Sequence, residues 1–170
     1  MTAVDAPAPQ GLSRLGVAVS EDPGGGTVLH PERERLPEVV EALREAGYTQ
    51  CIDLCGVDYL GADDRGRLPD AVAPQRFEVA VTLISHSGRE RVRLRVQVPA
   101  ADPSVPTLFD TFPGTENLER EVFDMFGIRF DGHPDMTRIL MPEDWEGHPL
   151  RKDYAVGVVP VRFKAAGDQR

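Results

Sequence analysis

Two neighbouring segments, "RFEVAVTLIS" (residues 76–85) and "RERVRLRVQV" (residues 89–98), decide the fold class. In the second, Val92, Leu94, Val96 and Val98 share one side of an extended chain, and Arg91, Arg93, Arg95 and Gln97 share the other, because successive side chains of a strand alternate. With only "HSG" between them, the segments predict a hairpin with one buried face. The arginine row has two uses: it could dock an acidic partner, or it keeps a solvated sheet face from aggregating, which is the commoner use.

Upstream of the hairpin, Leu36, Val39, Val40, Leu43 and Ala46 recur at helical spacing, with Pro37 acceptable in the first turn and Gly47 as the stop. "YTQCIDLCGVDYL" (residues 48–60) alternates as a strand and carries the only cysteines, Cys51 and Cys55. Four residues along a strand span about 13 Å, too far for one zinc ion or one disulfide, so they are expected as two small thiols on one strand face. A polar loop rich in Gly, Pro and Asp follows over residues 61–75.

Downstream, "SVPTLFDTF" (residues 104–112) and "TENLEREVFDMF" (residues 115–126) are both expected as helical. On the second, Leu118, Val122, Met125 and Phe126 form the apolar stripe and Gly127 ends it. Phe123 points about 120° away from that stripe, beside Glu119, Arg120 and Asp124, where a large aromatic needs some other surface to cover it. The expected architecture is α+β: a small, mostly antiparallel sheet with helices on one face, followed by an extended irregular C-terminal arm. The expected boundaries are a mobile leader at residues 1–27, the α+β domain at 28–126 and the arm at 127–170. Prolines and glycines punctuate the arm, and its few bulky apolar residues predict that it gains most of its order on assembly with a partner.

A formal charge of −9 opposes nonspecific nucleic-acid binding, and no apolar run approaches the roughly 20 residues of a membrane span. The start lacks the basic-then-apolar pattern of a secretory signal, so a cytoplasmic address is expected. No G-x-S-x-G elbow and no phosphate-binding glycine loop occurs, and Glu119 and Glu121 point about 160° apart on their helix, so they cannot share a substrate.

The triplet Gly-His-Pro occurs at residues 132–134 and again at 147–149. Each histidine precedes a proline, which favours extended backbone and rules out a helical zinc motif. His133 and His148 could still meet with Asp135 or Asp153 to form a metal site, although the arm offers such a site little scaffold. The other reading is a partner-docking arm with Trp145, Leu150 and Tyr154 as apolar anchors, and with Arg138, Arg151 and Lys152 pairing to carboxylates.

Residues 118–154, "LEREVFDMFGIRFDGHPDMTRILMPEDWEGHPLRKDY", closely resemble the signature of the bacterial counterpart of the mitochondrial 30-kilodalton subunit of complex I, the proton-pumping NADH:quinone oxidoreductase. Glu119, Arg120, Glu121, Asp124, Gly127, His133, Arg138, His148, Pro149, Arg151, Lys152 and Asp153 fall on the family's motif positions, whereas Leu118 replaces a usual Trp and Thr137 a usual basic residue. The resemblance implies a non-catalytic peripheral-arm subunit with no cofactor or metal of its own, scaffolding the quinone-reducing module. Flavin, iron-sulfur clusters and quinone would belong to neighbouring subunits. Its partners would be the quinone-site subunit and iron-sulfur subunits, with no nucleic acid, and it would sit peripherally on the cytoplasmic side of the cell membrane. The expected docking residues are Glu119, Arg120, Glu121, Asp124, His133, Arg138, His148, Arg151, Lys152 and Asp153 of the motif, together with Phe123, Trp145, Leu150 and Tyr154. Two rivals stand: the equivalent subunit of a related membrane-bound hydrogenase or other-donor complex, and a free-standing metal-dependent enzyme using His133 and His148.

Overall fold

The computed structural model of the chain describes residues 16–62, 65–66 and 68–155. The expected hairpin is its centre: β4 (Phe77–Ser85) and β5 (Glu90–Val98) pair antiparallel in unbroken register from Phe77↔Val98 to Ser85↔Glu90. The connection between them turns on Arg89, whose φ of 55° is the only positive one among described non-glycine residues. Alternation holds, since Phe77, Val79, Val81 and Leu83 on β4 and Val92, Leu94, Val96 and Val98 on β5 are all fully buried.

Around the hairpin the sheet runs β1-β2-β5-β4-β3, with β1 at Ala18–Glu21, β2 at Thr27–His30 and β3 at Gln50–Asp58. All its pairs are antiparallel except β2 with β5. The boundary expected at residue 28 therefore falls inside the sheet. Residues 16–27, expected as leader, supply β1 and the turn into β2; residues 1–15 lie outside the described part. That turn, "EDPGGG", is built by Asp22, whose carboxylate accepts the amides of Gly24 and Gly26.

Helix α1 (Leu36–Glu45) buries Leu36, Val39, Val40 and Leu43, as its spacing predicts. Helix α2 (Glu116–Phe126) lays Val122 and Phe126 across β3 in the same core. The approach is close enough that a Cβ on Gly56 would stand 2.7 Å from the Phe126 ring. A bulge in β3 between Cys51 and Asp53 corrects the expectation of two thiols on one face. Cys51 opposes Leu83 on the core side, and Cys55, past the extra residue, opposes Ala80 on the other.

Residues 104–112 are not a helix. Ser104–Pro106 forms β6, paired parallel with β7 (Arg129–Asp131), and residues 107–112 turn to bury Leu108 and Phe112. Pro106 forces the preceding residue into extended backbone, which outweighs the apolar spacing. The outer sheet face is not a free arginine ladder either. Arg95 donates to both carboxylate oxygens of buried Glu78, to Tyr59 and to the Arg65 carbonyl, leaving Arg91 exposed and Arg93 half-buried.

Gly56→Ala should destabilise the chain by about 1–3 kcal/mol, because neither Phe126 nor the β3 backbone can retreat without opening the core. The control Gly114→Ala, where an added Cβ meets nothing within 4 Å, should stay within about 0.5 kcal/mol. Urea unfolding monitored by circular dichroism compares the two, and equal midpoints would refute the close helix–strand contact.

Candidate functional site

The last four carbonyls of an α-helix have no partner within the helix. In α2 these belong to Phe123, Asp124, Met125 and Phe126, and each is met by the chain that follows. Gly127, at φ 69°, returns its amide to Phe123 O at 2.8 Å. Asp124 O takes His148 Nδ1 at 3.0 Å and Arg138 Nη1 at 3.3 Å. Met125 O takes the Leu150 amide at 3.1 Å, and Phe126 O takes Arg151 Nε at 2.5 Å. Two guanidinium groups thus stand at the negative end of the helix dipole. No side chain fits on Gly127, since a Cβ there would lie 2.5 Å from both His148 and Arg151.

Asp124 is fully buried and organises the arm a second time through its carboxylate. Oδ1 accepts Arg138 Nη1 at 2.6 Å, and Oδ2 accepts the amides of Ile139, Leu140 and Met141 at 3.1, 2.8 and 2.8 Å. Burial alone would push this carboxyl up, but the three amides and Arg138 outweigh it and hold it below the usual range. Arg138 then reaches onward with Nη2 to the carbonyls of Trp145 and Gly147, at 2.9 and 3.0 Å.

A second anchor lies at the end of β3. Asp58 accepts Arg76 through both oxygens, together with the amides of Leu60 and Lys152, each at 2.9 Å. Burial opposes its ionisation, yet Arg76 and the two amides lower it to about 2. Arg76 also takes Asp153 at 2.8 Å. The arm from 127 to 155, expected to gain its order mainly against a partner, is tied here to its own domain at two buried carboxylates.

Glu119 behaves differently. It is wholly buried and has no cation in hydrogen-bond contact among the described residues; its acceptors serve the Leu108 amide and the hydroxyls of Thr107 and Thr115. Desolvation is the largest influence, and its pKa is raised. It ties the 107–115 turn to α2, a contact that no periodicity in the sequence reveals.

The residues expected to dock partners therefore split. Glu119, Asp124, Arg138, His133 and His148 make internal bonds, and Arg120 donates to the carbonyls of Thr137 and Arg138. Phe123, read as lying on the polar side of its helix, is half-buried with its ring edge-on to His148, 6.2 Å away. Its cover comes from the arm, and the side of the helix taken as polar carries two fully buried carboxylates. The Trp145 indole nitrogen is buried without a partner, and the Tyr154 ring closes over Gly147. Glu121, Leu150, Lys152 and Asp153 face solvent.

Neither histidine is arranged as a ligand. His133 accepts the Asp135 amide at Nδ1, so its Nε2 carries the proton and donates to Glu116 O at 3.1 Å. His148 donates through Nδ1, and burial lowers its pKa. Among the described residues no group of three or more His, Cys, Asp and Glu is placed to hold a metal ion, and no helix is long and apolar enough to cross a membrane.

The family model described as "Respiratory-chain NADH dehydrogenase, 30 Kd subunit" matches residues 29–158, which contain the whole anchored arm described above. The chain belongs to this family. Similar members of this 30-kilodalton family are the NADH-quinone oxidoreductase subunits of Herpetosiphon aurantiacus, 47% identical over 84% of this chain and 78% of its own length, and of Roseiflexus castenholzii, 44% identical over 91% and 88%. Against the corresponding NADH-quinone oxidoreductase subunit of Salinispora arenicola, 45% identical, the chain spans 55% of the relative's length. Among solved structures, the trypsin-resistant fragment 1–134 of Nqo5 superposes with a TM-score of 0.63 at 34% identity, over 72% of this chain and 92% of that one. A membrane-bound sulfane sulfur reductase, an archaeal respiratory membrane complex, shares the fold at TM-score 0.69 and 19% identity, over 94% of both chains. The 30-kilodalton family fold is thus the mixed sheet with two helices seen here.

Asp124→Ala leaves Arg138 without its carboxylate and three amides without an acceptor, and should cost roughly 3–5 kcal/mol. It should also open the arm to trypsin at Arg138, Arg151 and Lys152, whereas Asp153→Asn, at an exposed ion pair, should leave the melting midpoint in place. Unchanged proteolysis in Asp124→Ala would disprove the anchor.

Stability should also fall with acid in two stages. His148 and His30 are held neutral, His30 by burial and by Arg95 at a pKa of about 4, so their contribution is present above 6.5 and is lost as pH falls below it. Asp58 contributes above its ordinary 3.8, and that contribution is lost as pH falls towards 2. Glu119, raised instead, works in the opposite direction and blunts the decline. Thermal unfolding should be flat between about pH 8 and 7 and fall below about 6.5, with His30→Asn removing much of the first stage; a maximum at acid pH would contradict these assignments.

Proposed function

We propose that the chain is a non-catalytic, peripheral subunit of a proton-translocating NADH:quinone oxidoreductase. It would scaffold the quinone-reducing module on the cytoplasmic side of the cell membrane. The observation that carries this is the arm. Residues 127 to 155, irregular apart from β7, are fixed on the domain by Asp124, Asp58 and the carbonyls of α2, which is how a chain builds a shaped surface rather than a reaction centre. Relatives named as NADH-quinone oxidoreductase subunits, matched over 84% and 91% of this chain, support the same reading.

Under this proposal flavin, iron-sulfur clusters and quinone are carried by neighbouring subunits, and this chain contacts the quinone-site and iron-sulfur subunits. The motif residues serve that contact in two ways: Asp124, Arg138 and His148 shape the arm, while Glu121, Leu150 and Lys152 lie on the outside. The tautomer of His133 weighs against the metal-enzyme reading, because both ring nitrogens are already engaged with backbone.

The test is affinity purification of the tagged full chain from detergent-solubilised membranes of its own cells. NADH:quinone reductase activity should travel with it, while the same chain purified alone and washed with chelator should hold neither iron nor zinc in stoichiometric amount. Activity that stays behind, or one metal per isolated chain, would overturn the proposal.

A further inference from the structure

The described residues expose five large hydrophobic side chains, and four of them belong to residues whose backbone amides are bonded at the C-terminal ends of α2 and β3. Leu150, 52% exposed, has its amide on Met125 O; Ile139 and Leu140, 38% and 60% exposed, have theirs on Asp124; Leu60, 45% exposed, shares Asp58 with Lys152. Each of the four thus has its backbone amide on a buried acceptor while its side chain stays exposed. Ile52, the fifth, lies away from them at the β3 bulge.

Arg151 stands beside this crest. It is half-buried, and its one hydrogen-bond acceptor among the described residues is Phe126 O, which takes Nε. The guanidinium lies over the Phe77 ring, 5.1 Å from its centroid, with no carboxylate among the described residues on its remaining donors. The neighbouring cations differ: Arg138 has Asp124, and Arg76 has both Asp58 and Asp153, so the nearby exposed acid is already taken. A guanidinium packed against an aromatic ring and short of an anion is poised for a charge-assisted, bidentate pair.

We infer that the crest of Leu60, Ile139, Leu140 and Leu150 is a docking face, and that Arg151 selects its occupant: a partner-protein segment carrying a carboxylate flanked by apolar side chains. This rests on the subunit role proposed above and adds which side chains make the contact and what chemistry meets them. Closure over the crest would remove apolar area from water and strengthen the Arg151 pair as solvent is excluded.

The experiment uses the assembled membrane complex, purified through a tag on this chain. The lysine introduced by Arg151→Lys, treated with a carbodiimide, should couple to an acidic residue of another subunit, and a photo-crosslinking benzoylphenylalanine installed at Leu60 should capture that same subunit, while one at Ile52 should not. Leu60→Asp should leave the melting midpoint of the isolated chain unchanged, whereas Arg151→Gln should lower it through loss of the bond to Phe126 O. At a temperature where both variants are folded, each should be retained in the complex at least about tenfold less than the unaltered chain, as expected for a contact near the centre of an interface. Wild-type retention by both variants, coupling only within residues 156–170 of the same chain, or photo-capture of lipid alone would overturn the docking face while leaving the subunit role intact. Failure of the unaltered chain to co-purify with any membrane complex would overturn both.

Discussion

The end of α2 is the constraint from which the rest follows. A helix that terminates inside a protein leaves four carbonyls that must be satisfied, and here each finds a donor from the chain beyond it. Two of these donors are guanidinium groups and one is a neutral imidazole, which suits the negative end of the helix. Gly127 makes the arrangement possible. Its left-handed conformation reverses the chain, and its missing side chain leaves the space in which His148 and Arg151 converge.

Three of the four buried carboxylates among the described residues then divide the work by their surroundings. Asp58 and Asp124 are each met by an arginine and by backbone amides, so charge is favoured despite burial. Glu119 has hydroxyls and one amide but no arginine bonded to it, and burial prevails. The first two fasten an irregular segment to a sheet and a helix; the third fastens a turn. An arm with no ladder of its own is thereby held in one shape, which sequence periodicity cannot express.

What the sequence disclosed follows from where periodicity rules. The β4–β5 hairpin and α1 were legible because their apolar positions repeat and their burial is set locally. The motif of residues 118–154 identified the family. Residues 104–112 misled, since apolar spacing there coexists with Pro106, and the extended conformation is fixed by pairing with β7, on the far side of α2 in the chain. β1 is not legible in the sequence, because so short a strand beside a glycine-rich turn carries too little pattern. At the site, Asp124 and Arg138 are visible as candidates but their bond to each other is not, and Asp58, Arg76, Thr107 and Thr115 have no signal, because their partners are brought together only by the tertiary fold.

The bond from Lys152 to Asp58 joins residues 94 positions apart. During synthesis, Asp58 is made long before the Lys152 amide and the Asp153 carboxylate that complete its surroundings. Until then the nascent chain exposes the end of α2 with its carbonyls solvated and its aromatic residues uncovered, a state open to premature association. Emergence of residues 148–153 from the ribosome therefore marks the moment at which this chain can seal its own helix end.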